Sequence, residues 1–209
     1  MKTIASATKG LIGKLCWGVE WERQLNLSMS FGDPKLRIRE PYVSKSPSQR
    51  VREIASCRNV KVKGKWWLWV FCAYWRIVIP NTVTAKNSSP LRIKKTAMAR
   101  LNGQKLVNVR ANDHDGSTEF AFDLGAVLQV RPFQKGDDAD VWTLYKPNGY
   151  VVWVRGDGKF THAKGTIPGD KLVPIELNSP NRLLRTPRSR ISCMPAVTGS
   201  GSLIRDIEA

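Results

Sequence analysis

The residues of this chain that could support acid–base or metal chemistry are few. Only two histidines occur, His114 and His162, and the first lies in the run Asp113-His114-Asp115. Such a run could hold a metal ion or supply an acid–base group. Because Gly116 follows directly, the run is more typical of a polar hairpin turn.

No sequence motif in the chain identifies a reaction. There is no HExxH, no GxSxG, no phosphate-binding P-loop and no dinucleotide-binding glycine motif. The acidic residues Asp137, Asp138 and Asp140 could ligate a hard cation, but carboxylates clustered in a loop usually only solvate it. The four cysteines form no CxxC pair, which argues against zinc and favours a reduced, cytoplasmic setting. We therefore predict that the protein is not an enzyme and uses no cofactor and no metal.

Lysine and arginine supply the stronger chemical signal. The chain of 209 residues has a formal net charge of +17, and all of it belongs to the first half. Through Asn112 there are 22 Lys and Arg against 5 Asp and Glu, whereas the remainder has 12 of each. Natural partners of such a basic half are nucleic acid, an acidic membrane surface or an acidic protein.

An aromatic run, Lys65–Ile79, lies inside a window without acidic residues and contains four of the eight tryptophans. The run is shorter than the ~20 apolar residues of a membrane-spanning helix, and Arg76 interrupts it, so we predict no membrane span. Read with a period of two, both of its sides are apolar. This pattern predicts a central core strand covered on both faces, with a bulge or bend near Cys72–Ala73.

Shorter alternating segments on either side predict the elements that position the basic residues. In Lys35–Glu40 the alternation directs Leu36 and Ile38 inward, and in Asn59–Lys63 it directs Val60 and Val62 inward. Gly32-Asp33-Pro34 before the first segment predicts a turn. Gly64 after the second predicts a turn or a bulge. Only if the second strand continues through Gly64 do its lysines share a face with Trp67 and Trp69.

The fold class predicted by the whole pattern is α+β, mainly antiparallel β-sheet in a meander or partly open barrel. Two short helices are expected, one capped by Ser46 with Pro47 and Gln49 and ending near Ser56, the other from Ser89-Pro90 to Leu101. Residues 1–13 carry little pattern and predict a loose lead. We expect a basic strand-rich segment at 1–80, then a helix and an antiparallel meander at 81–165 packed on it. A Pro- and Arg-rich tail at 166–209 is expected to be largely disordered, and Leu172–Leu177 is expected to add an edge segment.

One part of the chain, about residues 96–160, resembles known proteins. The segments LNGQKL, FDLGAVLQV and DVWTLYKPNG, within Leu101–Gly149, resemble those of small uncharacterised bacterial β-rich domains, some of which are immunity proteins encoded beside toxins. The resemblance implies a bacterial β-rich domain, without catalytic residues. It does not account for the basic first half, since an immunity protein that faces a basic nuclease is expected to be acidic.

These observations favour a non-catalytic binding protein that engages nucleic acid or another polyanion. Its contacts to phosphates and bases are expected from strand lysines and arginines, one tryptophan and two helix cations. The candidate residues are Lys35, Arg37, Arg39, Lys61, Lys63, Lys65, Trp67, Arg92 and Lys95. The alternative is a protein-interaction module, immunity-like or an adaptor, which predicts a contiguous apolar surface patch. A third is a metal-dependent enzyme that uses Asp113, His114 and Asp115.

Overall fold

Two open antiparallel sheets form the framework of the computed structural model, which describes residues 3–21 and 26–177. The strands are β1 (Cys16–Trp21), β2 (Leu27–Arg39), β3 (Asn59–Val70), β4 (Ala73–Ile79), β5 (Val83–Lys86), β6 (Leu106–Ala111), β7 (Thr118–Phe122), β8 (Val127–Pro132), β9 (Asp140–Tyr145), β10 (Tyr150–Arg155), β11 (Lys159–Lys164) and β12 (Ile175–Glu176). The seven-stranded sheet has the order β1-β2-β3-β9-β10-β11-β12, and the five-stranded sheet has the order β5-β4-β8-β7-β6. The prediction of a mainly antiparallel β fold with short helices is therefore confirmed.

The aromatic run forms two strands rather than one. β3 ends at Val70 in the seven-stranded sheet, the chain bends at Phe71–Cys72, and β4 continues in the five-stranded sheet. Cys72 has φ of 51°, which is unusual for a residue with a side chain. The predicted bend is confirmed. The prediction that both faces are covered is wrong, because each strand fully buries only the side facing the other sheet.

The core lies between the two sheets, and the bend changes which residues enter it. Before the bend the even-numbered Trp66, Leu68 and Val70 are buried, whereas after it the odd-numbered Trp75 and Ile77 are buried. Contacts between aromatic rings join the layers: Phe120 of β7 packs edge-on against Trp142 of β9 with 5.4 Å between ring centroids. The indole nitrogen of Trp142 also donates a hydrogen bond to the Thr118 hydroxyl at 2.8 Å.

Three α-helices lie within the described residues, one more than predicted. They are α1 (Ile4–Thr8), α2 (Gln49–Ala55) and α3 (Leu91–Leu101). α1 replaces part of the loose lead predicted at 1–13, and Thr3 with Ser6 forms its capping box. α3 matches its prediction and buries Ala97, Met98 and Leu101.

The helix predicted from Ser46 begins later than expected. The N-cap of α2 is Ser48, which makes no side-chain capping bond, while the Ser46 hydroxyl accepts a hydrogen bond from the Ser48 amide at 3.2 Å. The predicted capping box is therefore wrong. Gln49 instead donates to Glu53 one helical turn ahead, at 2.8 Å.

The start of the predicted tail packs on the protein. Residues Ile175–Glu176 form β12 against β11, and Leu172 and Leu177 are buried. The predicted edge segment is therefore present, and 166–177 is not a loose segment. The rest of the predicted disordered tail, 178–209, lies outside the described residues.

Both sheets combine strands from the two predicted segments. The seven-stranded sheet joins β1–β3 to β9–β11, with β12 from the predicted tail at its edge, and the five-stranded sheet joins β4 to β5–β8. The segments 1–80 and 81–165 therefore share one core. Among the described residues no helix has the length and apolar composition needed to cross a membrane.

Candidate functional site

A two-stranded ribbon, formed by Pro34–Arg39 of β2 and Asn59–Gly64 of β3, extends past the point where other strands join the seven-stranded sheet. Its two strands pair in register from Pro34↔Gly64 to Arg39↔Asn59. β9 pairs with β3 only at Trp67–Val70, and β1 pairs with β2 only up to Phe31. The ribbon therefore has no strand neighbour on either edge among the described residues.

A bulge, not a turn, joins the ribbon to the sheet. Gly32 and Asp33 lie opposite the single residue Lys65, and Gly32 has φ of 70°. The turn predicted at Gly32-Asp33-Pro34 is therefore wrong, and β2 continues through it. On β3, Gly64 lies so close to the Phe31 backbone that a Cβ atom would be 2.7 Å from its N and O atoms. A glycine is needed there because the two backbones touch.

One face of the ribbon is basic. Lys35 lies directly opposite Lys63, and Arg37 lies directly opposite Lys61. Directly paired residues of an antiparallel ladder project from the same face, so these four cations share it, together with Arg39. Like charges opposite each other are destabilising by a few tenths of a kcal/mol up to about 1 kcal/mol. The ribbon therefore places like charges directly opposite each other.

The other face of the ribbon is apolar and exposed. Leu36, Ile38, Val60 and Val62 were predicted to point inward, yet they are 53–62% exposed. The prediction is wrong because the core ends before the ribbon begins. The same alternation that buries Trp66 and Leu68 continues into a region where no second sheet covers it.

Carboxylates pair with cations at both ends of the ribbon. Asp33 binds Lys65 at 2.8 Å, and this bond together with the charge of Lys65 lowers the pKa of Asp33. Beyond the other end, Glu40 binds Arg58 at 2.8 Å. Between these pairs, within the residues that the structure describes, Lys35 and Lys61 have no carboxylate within ion-pair distance.

The basic face continues into a set of stacked rings. β3 runs through Gly64 without a break, so Lys61, Lys63 and Lys65 lie on the same side of the strand as Trp67 and Trp69. The Lys63 ammonium lies over the Trp67 ring, 4.8 Å from its centroid. Because β3 continues through Gly64, its basic residues and its tryptophans share one face, as the sequence predicts for an unbroken strand.

We call the four stacked rings Tyr145, Trp67, Trp69 and Phe71 the aromatic ladder. Centroid separations are 4.9 Å for Tyr145–Trp67, 5.9 Å for Trp67–Trp69 and 4.6 Å for Trp69–Phe71. Along β3, Trp67 thus has Trp69 on one side and the Lys63 ammonium on the other. Tyr145 also stacks on Trp67, so a base could stack on the Trp67 ring only if Lys63 or one of the two neighbouring rings moves away.

The ladder buries polar atoms without partners. The indole nitrogens of Trp67 and Trp69 and the hydroxyl of Ser28, which lies opposite Trp69, are buried and make no hydrogen bond within the described residues. Burial and the charge of Asp140 raise the pKa of Tyr145 to about 12, while the charge of Arg37 opposes this shift. The Arg37 charge therefore acts on the ladder as well as on the ribbon.

The helix cations Arg92 and Lys95 are exposed on α3, which packs on β1, β4 and β5. The structure gives no contact between them and the ribbon among the described residues. Their neighbour Lys94 is buried instead, with its ammonium 4.1 Å from the Trp21 ring centroid.

Acidic residues that could ligate a metal ion by sequence, such as Asp115 and Asp138, lie in turns or beside a cation, and Asp157 is part of the second group. The Asp115 carboxylate accepts a hydrogen bond from the Ser117 amide at 3.0 Å, and His114 is exposed. Asp157 binds the buried Arg155 guanidinium at 2.7 Å, and Asp138 lies 3.7 Å from it. Within residues 3–21 and 26–177, no group of three or more His, Cys, Asp or Glu side chains could hold a metal ion.

Sequence reasoning missed Tyr145 as part of the site. The only local signal was an aromatic residue at the end of a predicted strand, and its contact with Trp67 follows from the β3–β9 register.

Comparisons with protein-family models, curated proteins and solved structures found no match to this chain. The resemblance of residues 96–160 to bacterial β-rich domains therefore stays a prediction.

Proposed function

We propose that this protein is a non-catalytic binding protein whose ribbon and aromatic ladder engage nucleic acid, with single strands favoured. The observation that supports this most is the direct opposition of Lys35 to Lys63 and of Arg37 to Lys61 on a projecting ribbon. The negative charges of a bound polyanion would offset the repulsion between these cations and attract each of them.

Two features favour nucleic acid over other polyanions. A two-stranded ribbon has dimensions that fit along a nucleic-acid backbone or groove. The cations lead directly to the aromatic ladder, and successive bases of a single strand stack on aromatic side chains with little sequence preference. Phosphates bound by Lys35, Arg37, Lys61 and Lys63 would place a base next to Trp67.

Salt dependence tests this function directly. Affinity for a labelled single-stranded oligonucleotide is measured by fluorescence anisotropy between about 50 and 200 mM salt, where counterion release makes the logarithm of affinity fall linearly. Four phosphate contacts predict a slope of about −3 for a single strand. Absence of binding at low salt, or a slope near zero, would reject the proposal.

A charge-neutral ribbon variant locates the contacts. We define it as Lys35, Arg37, Lys61 and Lys63 each replaced by Gln, and expect nearly all affinity to be lost. The matched control removes the same charge from exposed lysines elsewhere: Lys9, Lys105, Lys135 and Lys164 replaced by Gln. Equal loss in both variants would show non-specific attraction by net charge rather than a site.

A second candidate function is a protein-interaction module, and the exposed face of Leu36, Ile38, Val60 and Val62 favours it. The test is recovery of one stoichiometric protein partner from nuclease-treated extract. That partner must be lost when Leu36 and Val62 are both replaced by Ser, and retained by the charge-neutral ribbon variant. Failure of either condition excludes this candidate.

A further inference from the structure

A second basic surface lies on the outer face of the five-stranded sheet, on the opposite side of the sandwich from the ladder. A shallow cleft of about 220 Å³ is lined there by Tyr74, Arg76, Lys86, Ser88, Gln129 and Arg131. The β-ladder register places Arg76 between Lys86 on β5 and Gln129 on β8, and places Tyr74 opposite Arg131. Three cations therefore surround one opening.

The wall of this cleft is held by specific bonds. β5 ends at Lys86, and the Asn87 side chain then accepts a hydrogen bond from the Trp75 amide at 2.6 Å and donates to the Ala73 carbonyl at 3.2 Å. The Lys86 amide donates to the Ser89 hydroxyl at 3.0 Å, which closes the turn. The turn bearing Lys86 and Ser88 is thus fixed against the edge of β4.

The cations of the cleft lack carboxylate partners within the described part of the chain. By contrast, the exposed Arg58 is paired with Glu40 at 2.8 Å. In the cleft the nearest carboxylate along the register is Glu119, and it accepts a hydrogen bond from the Gln129 amide at 3.3 Å. Gln129 therefore stands between that carboxylate and Arg76, and the three positive charges remain uncompensated.

We propose that this cleft binds a phosphomonoester attached to a planar ring, of which a nucleoside monophosphate is the simplest example. Two guanidinium groups on neighbouring strands match the oxygens of a phosphate through bidentate hydrogen bonds, and Lys86 adds a third charge. Tyr74 is 57% exposed and packs edge-on against Phe133 at 4.6 Å, which leaves a ring surface beside Arg131 for the planar group. The ribbon belongs to the other sheet, so this site does not depend on the function proposed above.

Calorimetric titration of the charge-neutral ribbon variant tests the cleft separately from the ribbon. Adenosine monophosphate is the probe, and adenosine is the control without phosphate. Charge-assisted hydrogen bonds predict that the monophosphate binds at least ~10-fold more tightly than adenosine. Replacing Arg76 and Arg131 together by Gln is expected to abolish this preference. Replacing Arg110 by Gln, at the far end of the same sheet face, is expected to leave it unchanged.

The two sources of a phosphomonoester are distinguished by a second pair of probes, a short oligonucleotide with a 5′-phosphate and the same oligonucleotide with a 5′-hydroxyl. In one outcome, the protein prefers the phosphorylated oligonucleotide and yet shows no saturable binding of adenosine monophosphate. If this preference disappears in the Arg76→Gln, Arg131→Gln variant, the cleft is assigned to nucleic-acid ends. Equal binding of phosphorylated and unphosphorylated probes overturns the proposal, as does undiminished preference in that variant. Thermal unfolding of each variant confirms that it is folded.

Discussion

Lys35 and Lys63 lie directly opposite each other on the exposed ribbon, and the Lys63 ammonium also lies over the Trp67 ring. The first relationship is repulsive and the second is attractive, so the two lysines differ in what they contribute to stability. Lys35 has only the repulsive one among the contacts given by the structure. A residue that destabilises the free protein and is exposed at a candidate site is expected to act in binding.

Replacing Lys35 by Gln is therefore expected to stabilise the ribbon and weaken nucleic-acid binding at once. Relief of a cross-strand repulsion is worth a few tenths of a kcal/mol, up to about 1 kcal/mol. Slower hydrogen exchange of the Leu36 and Val62 amides would report it locally, and anisotropy would report the lost affinity. Lys164→Gln, an exposed lysine outside the ribbon, is the control and should change neither quantity. Faster exchange in the Lys35 variant would contradict the repulsive role.

Replacing Gly64 by Ala is expected to destabilise the protein by about 1–3 kcal/mol, because the added Cβ would overlap backbone atoms that cannot rotate away. Those atoms are Phe31 N and O at 2.7 Å and Trp66 O at 2.8 Å. Urea unfolding gives the change in free energy. Gly136→Ala is the control: Gly136 has φ of 81° and open space around its Cα, so only backbone strain of about 1 kcal/mol is expected. A smaller effect at Gly64 than at Gly136 would show that the ribbon junction can adjust.

Ionisation of Tyr145 is expected to lower the stability of the folded protein at alkaline pH. Its pKa is raised from 10 to about 12 in the folded protein, so its hydroxyl stays protonated where the unfolded chain would ionise. The stabilising contribution is full below pH 10 and is lost as pH rises from 10 towards 12. A two-unit shift corresponds to at most about 3 kcal/mol.

The measurement is urea unfolding between pH 8 and pH 11, compared with Tyr145→Phe. The variant keeps the ring but cannot ionise, so its stability should fall less steeply with pH. Burial raises the pKa of the Cys16 thiol from 9 to about 12 as well, so part of the alkaline loss will remain in the variant. Identical pH profiles would refute the role assigned to Tyr145.

Asp157→Asn is expected to cost about 3 kcal/mol of unfolding free energy, because it removes the main partner of a buried guanidinium. Arg155 is 6% exposed, and its remaining carboxylate, Asp138, lies 3.7 Å away. Chemical denaturation measures the loss, and Asp170→Asn on the exposed surface serves as the control. Calcium should not restore stability to the variant or raise that of the parent. An increase with calcium would show that these carboxylates bind a metal ion.

The sequence by itself determined the local elements of this protein. Alternation along Asn59–Val70 and Ala73–Ile79 was enough to predict strands, and length was enough to predict the bend near Cys72. The 3.6-residue spacing in Leu91–Leu101 likewise predicted α3 and its buried side. These features depend on neighbours within a few residues, which the sequence displays directly.

Only the tertiary structure decided which sides of the strands are covered. Leu36 and Val62 alternate like core residues, but β9 begins to pair with β3 only at Trp67, so the core stops before the ribbon. The alignment of Lys63 with Trp67 and Tyr145 depends in the same way on a bulge at Gly32–Asp33 and on a strand about 75 residues away in the chain. Burial and register arise from long-range pairing, and for that reason the alternating pattern predicted the strands but not the exposed basic and apolar faces.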